Sequence, residues 1–523
     1  MSMRSLTVAC AACWLAATAL IPAPAVAAPP PKPQIVKPGG DWRVDSVHMY
    51  NNFLASRQVN VIRFPGSTAE PSSGVDRATA DSTRRNNEYA YAMADPSRRM
   101  AWAQPLVAQG DRDAMYMLGW CYMQGNCGVP VDTVVAVEWL RKAGAAGHAW
   151  ALADYGTALA NGVGVPLDEK KSFAVFQEAL ARDGGAAAHA GLGMAHFTGS
   201  GTVPDNAKAL FHFRQAESDP KALGMLGLMH EYGFGVPASD ALGSSYLKRA
   251  AELGDARAMA YYGVKLLNGS PATPANLPLA RRYFEQAMAA NESVAVYNQA
   301  LLLRDGRHRD GGTPEPQRAF ELLTRAANAE YAPAIYELAA TSNRGLLGQK
   351  KDVAKAIELG KRAAAGGLVE AQDFLTVIYL NTDRDAEARA SNDLALKNGT
   401  GRAFLHRAQA EELGLMGFTE GTPTHVSWYQ KAAAEGEGEA QVRLGFFHLQ
   451  RMHGFADAAE GRRLLQNASD ANVFAAYNLL AQCWENGLGG PRDLPRAVAL
   501  YKRAVAGGSE SAARSLTRLG VAM

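Results

Sequence analysis

The sequence lacks an excess of charge of either sign. Its 523 residues include 53 Lys and Arg against 51 Asp and Glu, which leaves a formal net charge of +2. A nucleic-acid-binding face needs basic residues that displace the counterions of the phosphates. The balance therefore argues against a nucleic-acid partner, and it gives no support to an electrostatic membrane anchor.

Long apolar runs are missing after the first residues. A spanning helix needs about 20 predominantly apolar residues, and no later segment approaches that length, so no membrane span is expected. At the N-terminus, Arg4 precedes an apolar stretch over 6–21, and Ala-Val-Ala at 25–27 forms a small-x-small cleavage site. These features predict a cleaved signal peptide over 1–27, and hence a periplasmic or secreted protein.

Cysteine is scarce, with five in the chain. Cys10 and Cys13 lie in the leader, where they raise the alternative of a lipoprotein, but neither has Leu three residues before it. Cys121 and Cys127 flank a predicted helix–loop boundary in a compartment that permits disulfides. They either form a local disulfide or lie as two small buried residues. Cys483 is left unpaired and is expected in the core.

Proline is concentrated in the segment that follows the leader. Residues 28–40 are Pro-rich and are predicted to be extended, and the chain to residue 87 has turn signals but no sustained periodicity. We therefore assign 28–87 to a linker and a poorly ordered N-terminal segment. Helical patterning begins near Glu88, which predicts N-terminal capping helices over 88–112.

From residue 113 the chain repeats a pattern of two helices. Gly119 in the first unit and Gly445 in the tenth both end an Ala-x-x-x-Leu-Gly frame. The residues aligned with Gly119 are spaced 32 to 39 apart, at positions 119, 156, 193, 227, 263, 300, 339, 376, 408, 445, 480 and 517. This period is typical of a helical solenoid. About eleven repeats therefore occupy 113–508, and 509–523 is predicted to form a C-terminal capping helix.

Glycine and proline mark the turn between the two helices of a unit, as in Gly-Val-Gly-Val-Pro at 162–166 and Gly-Phe-Gly-Val-Pro at 233–237. Glycine can take the left-handed conformation that ends a helix, and proline prevents the helix from continuing. The second helix of several units is then expected to begin after an N-cap residue, namely Asp132, Asp168, Asn206, Asp352 and Asp493.

The frame Ala-x-x-x-Leu-Gly-x-x-Tyr-x-x-Gly-x-Gly-Val, followed by a helix with Trp/Tyr-x-x-Lys/Arg-Ala-Ala-x-x-Gly, resembles the Sel-one-like repeat, a relative of the tetratricopeptide repeat. The match is weak in units six to ten, where the Gly-x-Gly-Val turn is lost and glycine is replaced by Ala300, Ala339, Thr376 and Ala408. The resemblance implies an all-α fold, a right-handed α-α superhelical solenoid of antiparallel helix pairs. It also implies an adaptor in macromolecular assembly, envelope signalling or polysaccharide export.

No motif indicates catalysis, a cofactor or a metal site. Gly-x-Gly at 162–164 and 191–193 is similar to part of a dinucleotide loop, but neither opens a βαβ unit. Gly-Ser-Gly at 199–201 is a turn rather than a nucleophile elbow. The eleven histidines are scattered, and three take the position of Tyr122, where packing is expected: His196, His230 and His448. We predict a protein that is not an enzyme and needs no cofactor.

The candidate binding surface follows from tetratricopeptide-like arrays, in which the first helix of each pair lines a concave groove. By analogy, its outward positions lie three residues before and one, four and five after the residues aligned with Gly119. Aromatic and amide side chains there would hold a peptide by stacking and hydrogen bonds. The candidate groove residues are Tyr116, Trp120, Asn161, Phe197, Tyr232, Asn268, Tyr297, Tyr336, Asn343, Asn381, Phe446 and Trp484. The alternative is that asparagines cap helices and that aromatics fill the core.

Three functional hypotheses follow. The leading one is an exported scaffold that binds another protein or an extended peptide through the groove. An alternative is a platform for cell-wall glycan, in which Trp120, Trp150 and Trp484 would stack on sugars. A cell-wall-related hydrolase is a further alternative, but the sequence supplies no nucleophile and base at a suitable spacing.

Overall fold

The computed structural model describes residues 96–125 and 127–521, and every regular element within them is an α-helix. The predicted all-α class is confirmed. The signal peptide, the linker and the part of the predicted capping region that precedes Pro96 lie outside the described residues. No helix in the described part is both long and apolar enough to cross a membrane.

The described residues divide into two compact units between Leu338 and Ala339. In the first unit a single helix precedes six helix pairs. Helix α1 is Pro96–Val107, and the pairs are α2 (Arg112–Gln124) with α3 (Thr133–Ala145), α4 (Ala149–Asn161) with α5 (Glu169–Ala181), α6 (Gly185–Thr198) with α7 (Asn206–Gln215), α8 (Pro220–Tyr232) with α9 (Asp240–Glu252), α10 (Ala256–Asn268) with α11 (Leu277–Ala289), and α12 (Ser293–Arg304) with α13 (Pro316–Asn328).

The division falls inside helix α14, and the second unit continues the same alternation of paired helices. The remaining helices are α14 (Ala332–Arg344) with α15 (Val353–Ala365), α16 (Glu370–Leu380) with α17 (Asp385–Lys397), α18 (Gly401–Leu413) with α19 (His425–Ala434), α20 (Gly438–Gln450) with α21 (Ala458–Asp470), α22 (Phe474–Asn486) with α23 (Leu494–Ala506), and α24 (Glu510–Arg518). The described residues therefore hold eleven helix pairs between an initial single helix, α1, and a final one, α24.

Many of the helices begin and end at residues whose local chemistry favours a helix boundary. In α8 the Asp219 side chain accepts hydrogen bonds from the backbone N–H groups of Lys221 and Ala222, and Pro220 is the first helical residue. Gly233 then ends the helix in the left-handed conformation, with φ of 76°. Among the expected caps of the second helices, Asp132, Asp168, Asp352 and Asp493 accept such bonds.

One predicted cap is displaced by a residue. Helix α7 is capped by Asp205, whose side chain accepts from the N–H groups of Ala207 and Lys208, and Asn206 is the first residue of the helix itself. Aspartate and asparagine are both good N-caps, so the pattern alone could not decide between neighbours. The acidic side chain takes the cap position because its charge also favours the positive end of the helix dipole.

Within a pair, a small residue of the first helix lies against a large residue of the second. A Cβ atom on Gly193 would lie 2.7 Å from the ring of Phe213, and one on Gly119 would lie 2.9 Å from the side chain of Leu140. Real Cβ atoms do not approach other atoms so closely without a shift of the packing, which typically costs about 1–3 kcal/mol. The glycines at the positions aligned with Gly119 therefore set the distance between the two helices.

The second glycine of the turn makes the contact between successive repeats. Gly164 has φ of 69°, and a Cβ atom there would lie 2.1 Å from the carbonyl oxygen of Thr133, the first residue of α3 in the preceding repeat. A Cβ atom on Gly201 would likewise collide with the carbonyl oxygen of Glu169, and one on Gly489 with the carbonyl oxygen of Ala458. The Gly-x-Gly turn thus combines a left-handed backbone with an approach to the neighbouring backbone that only glycine permits.

A disulfide joins Cys121, near the end of α2, to Cys127 in the following turn, with 5.3 Å between their Cα atoms. Both residues are buried beside Trp120 and Leu118. Cys483 is a free, buried cysteine, and burial raises the pKa of its thiol to about 11. At neutral pH this thiol is therefore protonated and unreactive.

The contact between successive repeats predicts that a side chain at Gly164 lowers the stability of the protein. We expect Gly164→Ala to destabilise the protein by about 1–3 kcal/mol more than Gly128→Ala, because the new methyl group overlaps the Thr133 carbonyl. Gly128 is the matched control: its φ is 82°, but nothing lies within 4 Å of a Cβ atom there, since no complete repeat precedes it. Urea unfolding followed by circular dichroism measures both; equal losses would contradict the contact.

Candidate functional site

The first helices of neighbouring repeats contact one another more extensively than the second helices do. In the first unit, α4 contacts α6, α6 contacts α8, α8 contacts α10, and α10 contacts α12. In a stack of helix pairs, the layer whose members lie closest together forms the inner side. The side chains on this face of the first helices are thereby brought together from repeats that are distant in sequence.

Asp154 of α4 illustrates this arrangement. The Oη of Tyr116 in the preceding repeat donates a hydrogen bond to its carboxylate at 3.1 Å. Burial raises the pKa of Asp154 to about 6, while the Tyr116 hydrogen bond and the charge of Lys221 lower it. Lys221 belongs to the fourth repeat and Asp154 to the second, so side chains two repeats apart face the same space.

Four tyrosines line the next part of this face. The rings of Tyr297 and Tyr331 meet edge to face with centroids 5.4 Å apart. Burial raises the pKa of Tyr331 well above its usual value, and Tyr261, Tyr297 and Tyr232 add to the shift. All four rings keep partial solvent exposure. Side chains in the wall of a cleft are partly exposed and yet strongly desolvated, because protein surrounds them on most sides. Tyr232, Tyr261 and Tyr331 combine these two properties.

Two carboxylates lie beside these rings, both at the N-cap positions of first helices. Asp255 precedes α10 and accepts a hydrogen bond from the N–H of Ala258 at 2.7 Å, and Glu292 precedes α12 and is only 2% exposed. Burial raises the pKa of both, and Arg257 lowers both. We call this surface the inner cleft, formed by Asp154, Lys221, Tyr232, Asp255, Arg257, Tyr261, Glu292, Tyr297 and Tyr331.

The structure distributes the twelve predicted groove residues among different environments. Tyr116, Trp120 and Phe197 are buried at 2%, 8% and 3% exposure, and they pack between helices, Phe197 against the ring of Phe234 at 5.6 Å. Tyr232 and Tyr297 belong to the inner cleft. Seven others are partly or fully exposed outside it: Asn161, Asn268, Tyr336, Asn343, Asn381, Phe446 and Trp484.

Several of these side chains have contacts of their own. The Nδ2 of Asn161 donates to the Thr157 carbonyl at 2.8 Å, at the end of α4. In the second unit the indole ring of Trp484 lies 3.4 Å from the guanidinium of Arg462 and 4.7 Å from that of Arg496. Of the three tryptophans considered for sugar stacking, Trp150 alone is exposed, at 42%. The groove role of the twelve residues stays a prediction.

The sequence analysis missed most of the inner cleft. Asp154 and Tyr261 lie two residues before the positions aligned with Gly119, and Asp255, Glu292 and Tyr331 lie eight before them. The signal that could have found them is the recurring acidic residue at the start of the first helix. A helix cap already accounts for such a residue within one repeat, as at Asp255, so the pattern alone does not point to a shared surface.

No cluster of metal ligands appears in the described residues. Among residues 96–125 and 127–521, no group of three or more His, Cys, Asp or Glu side chains is placed to hold a metal ion. A pocket of 260 Å³ between α11, α12 and α13 is lined by the polar side chains of Glu285, Gln299, Arg318 and Glu321, with Met and Leu neighbours. Small-molecule sites usually have about 300–1,000 Å³, so this pocket is smaller than most of them.

A cluster of three histidines lies apart from the cleft, within the third repeat. The Nδ1 atoms of His189 and His212 are 2.9 Å apart, and the rings of His196 and His212 are parallel with centroids 5.7 Å apart. Burial lowers the pKa of all three, and the charges of His189 and His196 help to lower the pKa of His212 to about 4. The His189–His212 hydrogen bond needs one unprotonated Nδ1, so the two rings cannot both be protonated while it forms.

Comparison with known proteins identifies the repeats. The sequence model of the Sel1 repeat matches ten segments that together cover more than half of the chain: 112–148, 151–183, 186–218, 220–255, 256–291, 293–331, 332–368, 426–437, 438–473 and 474–509. Residues 369–425 are not matched. This stretch contains the predicted weak units in which Thr376 and Ala408 replace glycine.

The chain is similar to curated proteins of eukaryotes over part of their length. It is 24% identical to chitin synthase regulatory factor 3 of Schizosaccharomyces pombe, over 45% of this chain and 26% of that protein. It is 32% identical to DAP3-binding cell death enhancer 1 of Rattus norvegicus, over 31% of this chain and 32% of that protein. The chain thus spans about a quarter to a third of the length of these relatives.

Solved structures of repeat proteins are similar as well. One is c5321, a protective antigen of uropathogenic Escherichia coli with an SLR fold, at 24% identity and a TM-score of 0.40, covering 86% of this chain and 91% of that one. Another is a Sel1 repeat protein from Oxalobacter formigenes, at 24% identity and a TM-score of 0.37, covering 48% and 99%.

The histidine cluster predicts that stability falls in acid. Because the folded pKa of His212 lies below the unfolded value of 6.5, the unfolded chain binds more protons between pH 6.5 and about 4, so stability is lost as the pH falls through this window. The shift corresponds to roughly 3 kcal/mol at most, which partial exposure reduces to about 1–2 kcal/mol. Urea unfolding from pH 7.5 to 4 measures it.

The control for this titration is a histidine outside the cluster. We expect His212→Asn to flatten the dependence between pH 6.5 and 4, and His453→Asn, at an exposed left-handed residue that asparagine tolerates, to leave it unchanged. Equal pH profiles for the two variants would contradict the assignment to His212.

Proposed function

The chain belongs to the Sel1 repeat family, and from this premise we propose that it is an exported scaffold that binds another protein along the inner cleft. Sel1 repeats form a scaffold typical of protein–protein interaction, and this fold is usually not catalytic. A stack of helix pairs offers a long surface rather than one deep pocket, which suits an extended partner better than a small substrate.

The observation that carries the proposal is the inner cleft itself. Tyr232, Tyr261, Tyr297 and Tyr331 come from consecutive repeats and keep part of their rings exposed. Tyrosine supplies a large, rigid contact area and a hydroxyl group, and it is enriched at the centre of protein interfaces. The partial exposure of these rings distinguishes them from Tyr477 and Tyr501, which are fully packed in the second unit.

The names of the relatives point in the same direction. One is named for binding DAP3 and another as a regulatory factor of chitin synthase. Neither name describes a catalytic activity of its own. Such names support a role for this chain in binding, while the identity of its partner is a separate question.

Export rests on two observations of different kinds. The N-terminal residues have the pattern of a cleaved signal peptide, and the mature chain carries a disulfide between Cys121 and Cys127. Disulfides persist in oxidising compartments such as the periplasm and are rare in the cytosol. Both observations support the placement of the scaffold in the periplasm or outside the cell.

A thiol count tests export. When the mature protein is purified from its natural compartment without reductant and unfolded, we expect one reactive thiol, from Cys483. Reduction before unfolding should raise the count to three, because Cys121 and Cys127 are released. A count of three without reduction would contradict both the bridge and an oxidising compartment.

Partner capture tests the scaffold. We expect cross-linking and pull-down from envelope extracts to recover a discrete protein with the unmodified chain, and Tyr261→Ala to reduce the recovery at least tenfold, because it removes a ring from the inner cleft. The control is Phe211→Ala, which removes a ring that is 57% exposed on the second helix α7. Recovery that the two variants lower equally, or not at all, would contradict binding along the inner cleft.

A further inference from the structure

The charges of the inner cleft are unbalanced. Asp154, Asp255 and Glu292 face it with carboxylates, and Asp219 lies close enough to Asp255 to raise the pKa of that carboxyl. The cations in reach of these groups are Lys221 and Arg257. Carboxylates therefore outnumber cations in a part of a protein whose overall charge is close to neutral.

These carboxylates are also poorly hydrated. Asp154 and Asp255 are partly exposed and Glu292 is buried, and burial is the main cause of the raised pKa of each. A desolvated carboxylate is stabilised by a cation that is brought next to it, because attraction between opposite charges is stronger away from bulk water. An incoming positive charge would thus gain more here than at an open acidic surface.

Aromatic rings lie near Glu292, the most buried of these carboxylates. Tyr261 and Tyr331 both lie within electrostatic reach of Glu292, and Tyr331 packs edge to face on Tyr297. Aromatic faces attract ammonium and guanidinium groups through the ring quadrupole. Rings beside carboxylates form a combination that suits a cationic side chain, and a negatively charged ligand would be repelled by the carboxylates.

The spacing of the groups matches an extended chain. Asp154, Asp255 and Glu292 belong to the second, fifth and sixth repeats, so they follow one another along the stack of first helices. A ligand that meets all of them must run along the array, as an extended peptide does. A single small cation would meet at most the neighbouring pair, Asp255 and Glu292.

We propose, resting on the proposed function above, that the inner cleft binds an extended basic segment of the partner protein, with a Lys or Arg side chain held between Tyr261, Tyr331 and the carboxylates of Asp255 and Glu292. The partner is thereby defined by its chemistry, a segment rich in positive charge. Lys221 and Arg257 neutralise part of the carboxylate charge of the inner cleft. They thereby limit the number of additional cations that the cleft accepts.

Fluorescence anisotropy with labelled peptides tests this. The full mature chain is titrated into a peptide of about ten residues, which spans about 33 Å when extended, with Lys and Arg alternating with Gly and Ser. Two further peptides carry Gln or Glu in place of every Lys and Arg. We expect the basic peptide to bind at least tenfold more tightly than either.

Isosteric variants test whether the preference for the basic peptide depends on the carboxylates of the inner cleft. Asp255→Asn removes the charge but keeps a good N-cap for α10, and we expect it to weaken binding of the basic peptide at least tenfold. Asp132→Asn is the matched control, because Asp132 caps a second helix, α3, in the same way; it should leave the affinity unchanged. Glu292→Gln provides a second cleft variant, and circular dichroism verifies that all three are folded.

The outcomes separate this proposal from the proposed function. Equal binding of the basic and Gln peptides, tighter binding of the Glu peptide, or equal effects of Asp255→Asn and Asp132→Asn would overturn the basic-segment proposal. Partner capture that depends on Tyr261 would still stand in that case. Capture that does not depend on Tyr261 would instead remove the proposed function, and with it the premise of this inference.

Discussion

The whole array depends on the close approach of neighbouring helices. A single helix pair cannot bury its apolar faces, so each repeat is stable only against the next. Two kinds of glycine permit this: Gly193 lies against the ring of Phe213 within a repeat, and Gly201 lies against the Glu169 carbonyl of the repeat before. A larger residue at either of these positions would force the helix or the neighbouring backbone to move. The stability of these repeats and the distance between their helices therefore both depend on the absence of a side chain at these glycines.

The same stacking creates the inner cleft. Asp255 caps its own helix by accepting from the N–H of Ala258, a role that it would have in an isolated repeat. Only the adjacent first helices remove water from its carboxylate and bring Glu292 beside it. The cleft is therefore a property of several repeats together, and a residue that stabilises one helix also shapes the surface offered to a partner.

Burial separates side chains that look equivalent in the sequence. Trp120 is covered by the guanidinium of Arg99 at 4.2 Å from its ring, and Trp484 lies beside two arginines, whereas Trp150 is exposed. In the glycan alternative, the sequence offered all three equally as sugar-stacking residues. An arginine on a tryptophan ring occupies the face that a sugar would need, and this interaction is formed by residues outside the repeat consensus.

The sequence by itself determined the helix pairs, their turns and most of their caps, because these depend on interactions within a few residues. A glycine such as Gly162 ends a helix by its own backbone freedom, and an aspartate such as Asp132 caps one through the N–H groups of Val134 and Val135. The tertiary structure alone decided which face of the first helices forms the cleft. Lys221 meets Asp154 only after two repeats have stacked, and the distance between such residues depends on packing that no local pattern encodes.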